Sequence, residues 1–200
     1  METLIKDRMS TIVALILGSG GGWGLTEIIT APELKRWMIT ISVAVSFLLS
    51  LIISLSLIGR MTAAKRKKMI RKGVFLLIGF VAFIAAFFVL YNNYTIVIPK
   101  ATQSGEISDT IIVKGLSYTS RAKSYRDSMQ KIDQFRNYLS DDLLLEDATY
   151  DIKKVWSDSS RTNARLMLLF LYTIMVCFFI AGVTLIAEVF VHSKKKPEVN

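Results

Sequence analysis

The sequence predicts an α-helical multi-pass membrane protein of three or four transmembrane helices, with a small α+β soluble domain inserted before the last helix. Of 200 residues 52% are hydrophobic and only 20% are charged. The apolar residues are gathered into long uncharged runs separated by very polar ones, not spread as in a water-soluble domain. Runs at 38–59, 73–94 and 164–192 have the length of roughly 20 residues that a bilayer's hydrocarbon core demands of a helix. Between the second and third runs lies the one sizeable polar stretch, 95–163.

Residues 1–94 form the expected membrane domain. Its first part, 9–30, is a weak candidate span: a Gly-rich interruption, Gly18-Ser-Gly-Gly-Gly-Trp-Gly24, parts two apolar pieces, and Glu27 lies in the second. Gly18/Gly22 and Gly20/Gly24 have the spacing that lets helix backbones approach closely. Such a segment is either a tightly packed or interfacial helix, or a broken piece lining a pore, since irregular backbone at membrane depth survives only against protein or water. The basic start and apolar stretch also resemble a signal peptide. Two early acids, Glu2 and Asp7, and the lack of a clean small-residue cleavage site favour retention.

The span 38–59, MITISVAVSFLLSLIISLSLIG, carries no charge. Ser42, Ser46, Ser50 and Ser54 recur every fourth residue. On a helix they share one slowly drifting face over about 18 Å. A striped span needs something to face: a neighbouring helix packed through small side chains, or water in a pore. With only three or four helices per chain, an oligomer with a central axis, a tetramer or larger, supplies either. The next stretch, Arg60–Lys72, has seven basic residues and no acid, the mark of a cytoplasmic loop anchored on anionic lipid headgroups. In the span that follows, Gly79, Ala82 and Ala86 form a small face suited to helix packing. Phe75, Phe80, Phe83, Phe87 and Phe88 are expected mostly as lipid contacts, and Tyr91-Asn-Asn-Tyr94 as an interfacial belt.

Within 95–163, Thr95–Ile98 and Thr110–Val113 are β-branched runs bounded by Pro99 and Gly115, expected to pair as strands. Helical periodicity runs from about Tyr118 to Leu139. Ser140 reads as the N-cap of a second helix reaching about Trp156, with Asp141 and Asp142 in its first turn. Arg121, Lys123, Arg126, Lys131 and Arg136 are interleaved with Tyr118, Tyr125, Phe135 and Tyr138. Cations beside aromatic rings suit single-stranded nucleic acid, whose bases stack and whose phosphates pair. The alternative is a solvated helix face. We take Arg121, Lys123, Tyr125, Arg126, Lys131 and Arg136 as the ligand-binding candidates.

The last span, within 164–192, places Thr173, Cys177, Ala181 and Glu188 on one face with Thr184 close by, and 193–200 forms a basic tail. A carboxylate in hydrocarbon is costly and therefore a functional candidate. Glu188 either snorkels to the headgroups or joins Ser42, Ser46, Ser50 and Ser54 in lining a cation pathway. Density of Lys and Arg favours the 60–72 loop inside and residues 95–163 outside.

One cysteine and one histidine exclude an internal disulfide, a Cys/His zinc site and a His-centred triad within one chain. No phosphate-binding glycine loop, metalloprotease helix or nucleophile elbow is present. We therefore expect no enzyme activity, no cofactor and no metal.

At Val155-Trp156-Ser-Asp-Ser-Ser160-Arg161-Thr-Asn-Ala-Arg165-Leu166, running straight into the last span, the chain resembles small bacterial membrane effectors that accompany nucleotidyltransferases in anti-phage defence, of the Hailong effector-channel type. The resemblance covers the whole layout. It implies a homo-oligomeric ion channel in the bacterial inner membrane. Its soluble crown would bind an oligonucleotide made by the partner nucleotidyltransferase and hold the channel closed. That arrangement requires the soluble domain to be cytosolic, opposite to the side favoured by charge density. The alternative is a non-conducting scaffold or accessory subunit that presents a periplasmic domain to a protein partner.

Overall fold

The computed structural model describes residues 31–57, 62–101, 107–131 and 140–193. The predicted segment 9–30, with Gly18 and Gly22, lies outside them, as do Arg136 and the basic tail. The described chain is mostly helical. It divides into two compact units, one of residues 36–87 with 170–193, the other of 31–35 with 88–169. Three helices are long and apolar enough to cross a membrane.

Helix α1 spans Pro32–Ser56. Proline suits the first helical position, where its fixed φ fits and its missing N–H has no partner to lose. The Ala31 carbonyl accepts from Leu34 and Lys35, at 3.1 and 3.2 Å. Helix α2 spans Ala63–Tyr94 and begins ten residues before the predicted span. The part of the basic stretch from Lys65 to Lys72 forms its first turns, not a loop. Lysine and arginine are good helix formers, and the Thr62 hydroxyl caps the start by accepting from the Lys65 N–H at 3.3 Å.

Two strands follow, β1 Thr95–Ala101 and β2 Ile107–Val113. They pair antiparallel with Thr95 opposite Val113, as their β-branched runs predicted. Helix α3, Ser120–Met129, starts where the Thr119 hydroxyl accepts from the Ala122 N–H. Helix α4 is Asp141–Asp147, after Ser140 in extended conformation and with both predicted aspartates in its first turn. It stops far short of Trp156. Thr149 and Tyr150 adopt φ of 55° and 56°, and the Tyr150 N–H closes back on the Leu145 carbonyl at 2.7 Å. Two side-chain-bearing residues in the left-handed region carry a strain of order 1–3 kcal/mol each. The four-residue α5, Ile152–Val155, restarts with Asp151 capping Lys153. Helix α6 then spans Asp158–Ser193.

The smaller unit has a conventional core. Ile96 and Ile112 of the hairpin, Ala122 of α3, Leu144 and Leu145 of α4, and Val155 and Trp156 are buried together. Trp156 pairs as an isolated bridge with Tyr118 and stacks on its ring, 6.2 Å between centroids. Gly115 passes so close that a Cβ there would lie 2.7 Å from Trp156 Cβ and from Ser160 Oγ.

Candidate functional site

The serine stripe of α1 faces α6. On α1 the residues buried every fourth position are Met38, Ser42, Ser46 and Ser50; on α6 they are Tyr172, Val176, Ile180, Thr184 and Glu188. Rows of this spacing interdigitate as ridges in grooves. Ser42 Oγ lies 2.5 Å from Tyr172 Oη, Ser50 Oγ 3.3 Å from Thr184 Oγ1, and Ser54 donates to Glu188 Oε1 at 2.5 Å. The pairs advance in the same direction along both helices, so α1 and α6 run parallel.

Ser46 differs from its neighbours. Between Tyr172 and Thr184 the α6 row offers Val176 and Ile180, neither with a polar atom. Ser46 Oγ is buried, 1% of the residue exposed, and has no hydrogen-bond partner among the described residues. Elsewhere on α1, Thr40 and Ser56 turn back to the Arg36 and Ile52 carbonyls, at 3.0 and 2.7 Å. Ser46 neither turns back nor reaches across.

Glu188 is 3% exposed and accepts from Ser54. Its companions on the buried row are Thr184 and Tyr172. Thr173, Cys177 and Ala181, expected on its face, are only half-buried. A row of every fourth residue drifts around the helix, and these three fall beside it. Tyr172 carried no signal of its own, although sixteen residues from Glu188 is a multiple of four.

Gly79 of α2 meets the Phe178 ring, where a Cβ would lie 2.7 Å away. Ala82 and Ala86 are exposed in this chain. The contact is made by aromatics that were expected toward lipid: Phe80 on Phe179, Phe83 on Phe178 and Phe87 on Tyr172, with centroids 4.8, 5.1 and 6.0 Å apart. Lower down, Gly73 and Gly182 meet backbone to backbone, each carbonyl 3.1 Å from the place a Cβ would take on the other. Phe75 points outward, 71% exposed.

In the smaller unit the ligand candidates separate. Arg121 and Tyr125 line an open cavity of about 260 Å³ together with Asp147 and Lys154. Burial, and then the Asp147 carboxylate, raise the Tyr125 phenol above its ordinary value. Lys123 and Lys131 are exposed. Arg126 lies over the Tyr118 ring at 4.9 Å, a cation–π contact. Tyr118 donates to Asp141 at 2.5 Å, and Asp141 also accepts from Lys114 at 2.6 Å. Burial, then this bond to a carboxylate, hold the Tyr118 phenol above its ordinary value against the opposing effect of Arg126. Arg126 thus belongs to a packed network, whereas Arg121, Tyr125 and Lys154 share a recess. Lys154 was not among the candidates; only the turn at Thr149 and Tyr150 brings it beside α3.

Neither a protein-family model nor a curated protein nor a solved structure matches the chain.

Proposed function

We propose that the chain is a homo-oligomeric ion-conducting effector of the bacterial inner membrane, gated by a ligand on its smaller unit. One observation supports this most. Helices built to cross a bilayer bury a carboxylate, Glu188, and a ladder of hydroxyls from Ser42, Ser46, Ser50, Tyr172 and Thr184. Polar groups at such depth are costly and mark ion pathways by default. The recess with Arg121, Lys154 and Tyr125 combines two cations with an aromatic ring, chemistry suited to a phosphate and a base. The resemblance at 155–166 points to an oligonucleotide from a partner nucleotidyltransferase as that ligand. A ligand gates only by its difference in affinity between states, about 1.4 kcal/mol for each tenfold shift.

A second reading is favoured by a specific observation. Ser42, Ser50 and Ser54 find their partners on α6 of the same chain, which is what a non-conducting accessory subunit would use as helix glue. Planar-bilayer recording of the purified chain, with its subunit number measured in the same detergent, separates the two. The channel reading expects an oligomer with discrete K⁺ or Na⁺ conductance that changes when Arg121→Glu/Lys154→Glu is introduced. A monomer without conductance leaves the accessory reading.

A further inference from the structure

We infer that the seam between α1 and α6 is a proton path within a single chain, completed by water at Ser46. The inference rests on reading the long helices as bilayer spans, but not on the oligomer or its ligand gate.

The starting point is the Ser46 hydroxyl. A buried hydroxyl left without a partner forfeits the hydrogen bonds it had in water. The ordinary remedy in a protein interior is an ordered water. Ser46 could have bonded its own helix, as Thr40 and Ser56 do, yet among the described residues its buried oxygen makes no such bond. Successive rungs of the ladder stand about 6 Å apart along α1, four residues at about 1.5 Å each. Two hydrogen bonds of about 2.8 Å through one water span that distance.

The ladder has a carboxylate at one end and a phenol at the other. Glu188, 3% exposed, receives a proton through water entering at its end of the seam. The proton passes to water and then to the Ser50 and Thr184 hydroxyls. Each hydroxyl accepts one proton on a lone pair and releases the one it held. The transfer continues through the Ser46 water to Ser42 and the buried Tyr172 phenol, which passes its proton to water entering from that edge of the span. No group gains or loses a proton over a full transit, and no electron moves. Hydroxyls and bound water pass a proton without moving an ion. Residues 42–54 lie in the middle of the apolar run 38–57. About 18 Å of ladder in a core of about 30 Å leaves roughly 6 Å to each edge.

The test uses the full chain in vesicles holding a trapped pH dye, with K⁺ flux read in parallel. Proton flux above that of empty vesicles is expected, falling to the empty-vesicle level in Ser46→Val and in Glu188→Gln. Ser46→Ala, which adds no bulk, should lower the flux too and decides the matter if the valine variant does not fold. Helicity and elution volume are checked for each variant. Wild-type flux no greater than that of empty vesicles overturns the inference, and so does undiminished flux in folded Ser46→Val or Ser46→Ala. Loss of K⁺ conductance with proton flux retained counts against the channel reading alone. K⁺ conductance without proton flux through the seam counts against the proton path alone.

Discussion

The two units of this chain are built in opposite senses. The smaller one hides Trp156, Leu144, Leu145 and two strand isoleucines and leaves most of its charges, though not Arg161, at the surface. The unit of long helices hides serines, a threonine, a tyrosine hydroxyl and a glutamate, and leaves Phe47, Phe75, Ile78 and Val81 on the outside. Water rewards the first arrangement through apolar burial. Against lipid tails, which are as apolar as leucine, helices of the second kind would be joined by close backbone packing and hydrogen bonds. One chain thus carries two kinds of interior.

The comparison is most sharply broken at Trp156. Trp156→Ala should cost the smaller unit about 3–5 kcal/mol, enough to unfold it. Limited proteolysis should then cut within 95–157 while far-UV dichroism keeps most of its helical signal. Loss of all helicity would mean the long helices depend on that core. In the other unit the large effect should come from a glycine. A Cβ at Gly182 would sit 3.0 Å from Leu77 and 3.1 Å from the Gly73 carbonyl. Gly182→Val should therefore destabilise by about 1–3 kcal/mol, read as a lower thermal midpoint in detergent with the smaller unit still protease-resistant.

Polar contacts should matter less. A double-mutant cycle on Ser54→Ala and Glu188→Leu should give a coupling near 0.6 kcal/mol, at most about 1.7, the range known for hydrogen bonds between membrane helices. The mildest test is alkaline. The folded Tyr118 phenol titrates above its ordinary value of about 10, so its contribution is complete below that pH and disappears as pH rises through the higher folded value. Urea midpoints of the smaller unit should fall in that window, and Tyr118→Phe should flatten the fall.

Much of the architecture could be read from residue order because its signals are local. Uncharged runs mark the long helices, β-branched runs mark the hairpin, and Ser140 with two aspartates marks α4. Start points were missed where composition misleads. Seven cations look like a loop, yet lysine-rich turns extend α2 back to Ala63. The break after Asp147 was invisible, since Thr149 and Tyr150 are not residues that announce a left-handed turn; tertiary packing imposes it. The serine stripe was legible by its period, but one stripe cannot say which helix answers it. Tyr172 and Thr184 emerge only when α6 is laid beside α1, and Lys154 only once the chain has doubled back to α3.

The meeting of Gly73 with Gly182 has a mechanical corollary. Two rods in main-chain contact, flanked by three aromatic pairs, cannot slip past one another without a collision, so α2 and α6 act as a single post. α1 is fastened to that post by short hydroxyls able to trade one acceptor for the next. If any part of the bundle turns to change what passes through it, the screw-like rotation belongs to α1.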